Sequence, residues 1–476
     1  MLYVILRRPG KMISFSTLDY VVIICFFVIV ILIGFISGKK LGIKADDYLL
    51  SGRKVGLFLF IMTTVSTWYG GILGVGEFTY RYGLLSWFTQ GFPYYIFAIL
   101  FAVFFAKKVR AASLFTIPDK ITEIYGRKAG LFSEILVFIL VSPAPYLLMT
   151  ANLLSLLFGT GILISLIISF FLSVCYLFQG GFKSNIYADA FQFFVMFIGF
   201  ILILVVAHSD YGGISYLKGN LPSSYLKFTG NASVTFIIVW FLIALWTFAD
   251  PGFHQRAYAA KSGSVAMKGI IISVFFFALF DFLTTSTGLY SRAVLPGLLQ
   301  PVKSYPLLAE KILSPGLKGI FYAAMFATIM STANSFLFLS ATTIGRDFIF
   351  QFSKSKREVK LKYYTIVGLV ISGLVAVILA YYMPSVIEIW YTIGSLFIPG
   401  MILPVISSYY SKIRVDKKIM QIEMLAAVAF SFVWYFIRDE IHSGFLAEVE
   451  PMLVGLAVAV LIHLFGLFYS KRISYE

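Results

Sequence analysis

A succession of apolar blocks, each roughly 20 residues long, constrains this sequence more than any other feature, because each block is long enough to cross about 30 Å of hydrocarbon as a helix. Hydrophobic residues make up 60% of the chain and charged residues 13%. Soluble domains have about 45–50% and about 25% respectively, so an ordinary soluble globular protein is excluded. No stretch between the blocks exceeds roughly 25 residues, too little for a folded extramembrane domain. The reading is an all-α polytopic membrane protein, with residues 1–476 forming a single transmembrane domain.

Thirteen spans are expected, at about 18–38, 56–80, 84–106, 129–157, 160–179, 185–207, 233–250, 267–291, 316–349, 362–382, 386–409, 420–437 and 451–470. An odd number puts the termini on opposite sides, and the charges choose the orientation. Of the 38 Lys and Arg, 27 fall in one alternating set of connections, beginning with Lys39, Lys40, Lys44, Arg53 and Lys54 and including Arg256, Lys261 and Lys268. By the positive-inside rule the N terminus is outside and the C terminus cytoplasmic, in a multi-pass protein of the cell (plasma) membrane. The formal charge of +16 therefore reads as membrane topology. No contiguous basic stripe or motif points to nucleic acid, and no obligate protein partner is expected.

Cys25 and Cys175 lie inside apolar blocks and suggest neither a disulfide nor a metal site, and the four histidines are too dispersed for a metal motif. The opening MLYVILRRPGKM has too short an apolar run for a removable signal peptide. No nucleophile–base spacing appears, so an enzyme is disfavoured.

Two spans carry polar runs near their midpoints. Thr63-Thr64-Val65-Ser66-Thr67-Trp68-Tyr69-Gly70-Gly71 in the second span makes a poor continuous helix. Non-helical backbone at membrane depth is tolerated where it is buried in protein or lines a wet cavity, and its freed carbonyls become candidate cation ligands. Small residues that let helices pack closely are the plainer alternative. The ninth span carries Ala327-Thr328-Ile329-Met330-Ser331-Thr332-Ala333-Asn334-Ser335, and with opposite polarity the two runs should meet at similar depth as interrupted segments. A hard monovalent cation needs about five or six oxygens, by analogy with other hard cations, and hydroxyls of Ser331 and Thr332 with carbonyls from both runs would supply them. Against this, a hydroxyl in a membrane helix usually bonds the carbonyl one turn back.

Ionisable residues inside spans are functional candidates. Asp189, about one turn inside the expected start of the sixth span, either attracts an exiting cation or is a solvated helix-end charge. Glu77 and Arg81 are spaced as a local ion pair, their further role open. Asp281 has no basic residue within reach on its own span, which leaves a substrate cation or a polar partner elsewhere as alternatives. Trp68, Tyr69, Trp240, Trp246 and Tyr391 fall near the interruptions, where each would line a cavity or serve as core packing.

Gly180-Gly181-Phe182 with Asp189-Ala-Phe-Gln192, Asp250-Pro251-Gly-Phe-His-Gln255-Arg256, and Met330-Ser331-Thr332-Ala-Asn-Ser335 with Arg346-Asp347 together resemble the sodium:solute symporter family, in the right order from about Ser51 to Tyr410. The resemblance implies a LeuT-type fold of five helices and an inverted copy. The first repeat would span about 56–207 and the second about 233–409, with 18–38 and 420–470 peripheral. It implies Na+ bound by carbonyls of Ser66, Tyr69 and Thr328 and hydroxyls of Ser331 and Thr332. A second sodium or exit path would use Asp189, Asn334 and Ser335 together with Ser331. The substrate cavity would be bordered by Trp68, Gly70, Trp246, Asp250, Pro251, Tyr146 and Asn152. Trp68 stands where the proline-transporting branch has an aspartate, the seventh span lacks the sugar-binding polar set, and the fourth has no arginine to clamp a carboxylate. The expected activity is sodium-coupled import of a small organic solute by alternating access. A non-transporting sensor of the same fold and a proton-coupled transporter are the rival readings.

Overall fold

The computed structural model describes residues 13–39, 44–353, 358–383, 385–441 and 445–473. Lys40 and His442 lie outside these, as do residues 1–12, the connecting-loop cations Lys354, Lys356 and Arg357, and the side chains of Tyr391, Lys471 and Arg472. The described residues are helical throughout, apart from connections and one parallel bridge between Val55 and Ala260.

In chain order the principal helices are α1 (Thr17–Gly38), α2 (Leu57–Ser66), α3 (Ile72–Tyr82), α4 (Leu85–Ala112), α5 (Arg127–Leu140), α6 (Ala144–Phe158), α7 (Ile162–Val174) and α8 (Leu177–Tyr211). They continue with α9 (Val234–Ile243), α10 (Pro251–Ala259), α11 (Gly263–Val294), α12 (Leu317–Thr342), α13 (Glu358–Tyr382), α14 (Val386–Phe397), α15 (Pro399–Ser408), α16 (Lys417–Glu440) and α17 (Pro451–Ile473). Ten of the resulting segments are long and apolar enough to cross a membrane. The other three of the thirteen expected spans are not single long helices: the second is the pair α2 and α3, the fifth is the short α7, and the eleventh is the pair α14 and α15.

The molecule is inside-out relative to a soluble protein. Its surface carries Leu32, Phe171, Val205 and Phe275, whereas Thr63, Asn185, Asp189, Gln192 and Asn334 are fully buried. That arrangement suits hydrocarbon as solvent, where outward polar groups would find no partner. Helix α12 is the centre: 89% of its most apolar window is buried, against 28% for α1 and for the α17 segment. It packs along α8 and also touches α1, α2, α6 and α13. Helices α16 and α17 pack on each other, joined by His463 and Glu423 at 2.8 Å.

Two breaks shape the interior. Helix α2 ends at Ser66 and α3 begins at Ile72, as the hydroxyl and glycine run predicts. Between α9 and α10 the chain tightens into a 3-10 turn over Ala244–Phe248 before Asp250 caps α10. Asp250 Oδ1 accepts the Phe253 N–H at 2.7 Å, and Pro251, with no N–H to satisfy, opens the helix.

Three expectations are corrected. The ninth span is not interrupted: α12 runs unbroken through Ala327–Ser335, because its hydroxyls do not compete with the ladder; Thr328 Oγ1 bonds back to the Ala324 carbonyl at 2.7 Å, while Thr332 and Ser335 are engaged by other segments. Asp189 is no solvated helix end, since α8 begins at Leu177 and places it about three turns inside, fully buried. The early start of α8 includes a kink at Gly181, whose φ of 52° and contact with the Tyr48 backbone admit only glycine comfortably. Arg256, counted above among connecting-loop cations, is 3% exposed on α10.

Candidate functional site

The first break and the middle of α12 are in direct contact. Thr332 Oγ1 donates to the Thr67 carbonyl at 2.9 Å, and a Cβ on Gly70 would lie 2.3 Å from the Thr332 side chain. Glycine at 70 is what lets the broken strand of backbone lie on α12. Leaving the helix frees acceptors: among the described residues nothing donates to the carbonyls of Ser66 or Tyr69. Ser331 Oγ is buried without a hydrogen-bond partner. Thr328 differs, for it lies within the unbroken ladder of α12 and its carbonyl has only its second lone pair to offer. Ser66 Oγ bonds the Met62 carbonyl at 2.9 Å, so Ser66 can contribute to the site only through its backbone.

Next to this contact lies a buried polar network. Thr63 Oγ1 on α2 donates to Asp189 Oδ2 on α8 at 2.5 Å, and Asn185 Nδ2 reaches the same oxygen at 3.3 Å. The Arg256 guanidinium lies 3.6 Å from Asp189 and donates to Ser335 Oγ at 3.0 Å, which also accepts from Asn185 at 2.7 Å. Ser335 and Asp189 are thus brought together, with a fixed cation against both. Asn334 is not part of the group: its amide donates to the Tyr176 hydroxyl instead. A buried carboxylate needs a partner charge and hydrogen bonds, and here Arg256, Thr63 and Asn185 supply them.

A cavity of about 380 Å³ opens beside the break, within the range of small-molecule sites. Of the expected border residues, Trp68, Trp246, Asp250 and Tyr146 line it, and so do Tyr69 and Trp240. Gly70, Pro251 and Asn152 do not. Gly70 faces Thr332, Pro251 forms the first turn of α10, and Asn152, six residues beyond Tyr146 on α6, points about 240° away around the helix. Trp68 packs against both halves of the chain, stacked on Phe277 of α11 at 5.1 Å and edge-on to Tyr94 of α4 at 5.3 Å. The cavity wall also includes Arg256 and Ser335, so the pocket and the Asp189 network share two side chains.

Sequence reading missed Arg256 as an interior charge, and Thr63 and Asn185 as partners of Asp189. The i,i+4 spacing of Asn185 and Asp189 was a signal for one of these. Glu77 and Arg81 form the local pair their spacing predicts, at 2.9 Å. Asp281 finds its polar partner on α4, where the Tyr95 hydroxyl donates to it.

The family model for sodium:solute symporters matches residues 48–418. The chain belongs to the sodium:solute symporter family. Among curated relatives, the high-affinity choline transporter 1 of Drosophila melanogaster is 24% identical over 391 residues, covering 77% of this chain and 63% of the relative. The match thus spans less than two thirds of that relative's length. A sodium/proline symporter of Staphylococcus aureus is 25% identical, covering 69% of this chain and 68% of the relative. In three dimensions the substrate-bound outward-open state of a Na+-coupled sialic acid symporter superposes with a TM-score of 0.80 at 18% identity, over 96% of this chain and 98% of that one. A manganese transporter mutant of Eremococcus coleocola follows with a TM-score of 0.51 at 15% identity, over 90% and 94%. The fold of this symporter-family chain is the expected LeuT type, in a multi-pass membrane protein.

Proposed function

We propose that this family member is a sodium-coupled secondary active symporter that imports a small organic solute. The observation that carries the reading is the Thr332–Thr67 contact across the first break, beside carbonyls with no other partner and a cavity of solute size. Sodium takes the carbonyls of Ser66 and Tyr69, the remaining lone pair of Thr328 and the hydroxyls of Ser331 and Thr332. Those groups belong to α2, its break and α12, so the ion holds the two halves of the transporter together. Trp68, Tyr69, Tyr146, Trp246 and Asp250 border the solute. The break that supplies the sodium ligands also supplies Trp68 to the cavity, so filling one site orders the other.

Coupling follows from linkage: sodium favours solute binding only by preferring the same conformation, and solute favours sodium by an equal factor. One charge moving through about 100 mV gains about 2.3 kcal/mol, enough to concentrate a neutral solute more than tenfold. Arg256 already neutralises Asp189, which supports a single sodium and gives Asp189 a place on the inward release path rather than in a second ion site. The charge bias of the connections supports an N terminus outside, a cytoplasmic C terminus and a plasma-membrane location. The two breaks, one opening each half, support inverted repeats near 56–207 and 233–409. The relatives carry choline, proline and sialic acid by name, so none of them fixes the solute here.

Uptake into proteoliposomes with an inward sodium gradient, a proton gradient or neither tests the proposal. Accumulation with sodium alone is expected. Accumulation driven only by protons, flux that needs no gradient, or binding without flux would each reject it.

A further inference from the structure

Asp281 stands in the cavity wall on α11, 8% exposed, and no Lys, Arg or His of the described residues balances its charge. Its hydrogen-bonding neighbours are the Tyr95 hydroxyl, which in turn accepts from Trp87 Nε1 at 3.1 Å, and the Tyr69 hydroxyl. The carboxylate and Trp87 both close on Gly91, where an added Cβ would lie 2.6 Å from Asp281 Oδ2 and 3.0 Å from the Trp87 ring. The ring of Trp68 stacks on Phe277, one turn before Asp281, and meets Tyr94 edge-on at 5.3 Å.

The other charges around this cavity are already engaged. Arg256, the basic residue of the described lining, is held by Asp189, Ser335 and the Gly252 carbonyl. Asp250 caps α10 and sits at the positive end of that helix. Asp281 alone is left as an anion without a cation, in a chamber of aromatic faces. A desolvated carboxylate calls for a positive partner, and aromatic faces attract cations while repelling anions. We infer that the solute is a small organic monocation, its ammonium group held between Asp281 and the rings of Trp68, Trp87 and Tyr94.

This rests on the symport reading, and the experiment separates the two. The full chain in nanodiscs, with sodium, is titrated with choline, with ethylammonium and with 3,3-dimethylbutan-1-ol, which copies the shape of choline without its charge. Tryptophan fluorescence reports binding beside Trp68 and Trp87, and thermal stabilisation by sodium without solute reports the ion site. At least one ammonium compound should bind tenfold or more tightly than the alcohol. Asp281→Asn should erase that preference while keeping the sodium stabilisation, and Asp281→Glu should retain it. Equal binding of alcohol and ammonium compounds, no binding of either ammonium compound at millimolar concentration, or an unchanged preference in Asp281→Asn would overturn the inference. Loss of sodium stabilisation in the native chain would instead count against the symport reading.

Discussion

Thr332 Oγ1 and the Thr67 carbonyl, 265 positions apart in sequence, meet at 2.9 Å where the first broken helix lies on α12. In the proposed site that hydroxyl keeps its hydrogen on the Thr67 carbonyl and offers its oxygen lone pairs to sodium. The bond thus orients the hydroxyl oxygen for the ion.

Removing the hydroxyl should therefore weaken sodium more than solute. For Thr332→Ala, and for Ser331→Ala, the sodium concentration for half-maximal uptake is expected to rise at least tenfold, with a smaller rise for Thr332→Ser. Sodium titration of uptake at fixed solute checks this. An unchanged sodium dependence in both alanine variants would remove Ser331 and Thr332 from the site.

Gly70→Ala tests the closeness of the same contact from the other side. The new methyl would lie 2.3 Å from Thr332, so the break must back away from α12. Overpacking of this kind costs about 1–3 kcal/mol. A lowered melting temperature with loss of sodium stabilisation is expected. Adding Thr332→Gly, which removes the Cβ at 2.3 Å as well as the hydroxyl, should recover part of the melting temperature without recovering the response to sodium.

The second break, at Asp250-Pro251, came only with the family resemblance, but the first was legible in local chemistry, as hydroxyls followed by Gly70 and Gly71. The continuity of α12 was not, since the same Ser and Thr residues suit either a broken helix or one whose hydroxyls bond back, and only packing decides. Pairing of Asp281 with Tyr95 across 186 positions leaves no spacing to read. Arg256 was misread for a related reason. A cation at the end of an apolar block looks like a topology signal until the carboxylate opposite, Asp189 on α8, is placed beside it.

Glu310, on the short helix Ser304–Ile312 outside the spanning segments, anchors the start of the chain. Its Oε1 accepts from Ser14 N and Oγ at 3.1 and 2.8 Å, and its Oε2 pairs with Lys318 at 2.8 Å. Burial alone would raise its pKa, but the bonds from Lys318 and Ser14 outweigh it and hold the carboxyl below its ordinary 4.5. A depressed carboxyl stabilises the fold above the unfolded value and loses that contribution as pH falls through 4.5 toward the folded value. Melting temperature should accordingly drop more steeply below that pH in the native chain than in Glu310→Gln, which should already be about 1 kcal/mol less stable at neutral pH. Parallel pH profiles for the two would show the contact to be dispensable.

Asp189 and Arg256 make the last case, in which structure and transport separate. Both are almost wholly buried, so neutralising one leaves the other an uncompensated interior charge, at a cost of about 3–5 kcal/mol. Asp189→Asn should strand the guanidinium, and Arg256→Gln should strand the carboxylate, each lowering stability sharply. The double variant removes both charges and is expected to regain most of the loss, because an amide pair keeps the bonds to Thr63 and Ser335 without the desolvated ions. Transport should not return with it. If Asp189 lies on the release path, the carboxylate is needed to draw sodium inward, and the stable double variant should bind sodium yet exchange it slowly. Melting curves give the coupling between the two positions, and sodium efflux from preloaded vesicles gives the exchange rate. A double variant no more stable than either single change would mean the two charges do not act as a pair, and native exchange in a stable one would leave Asp189 with a purely structural role.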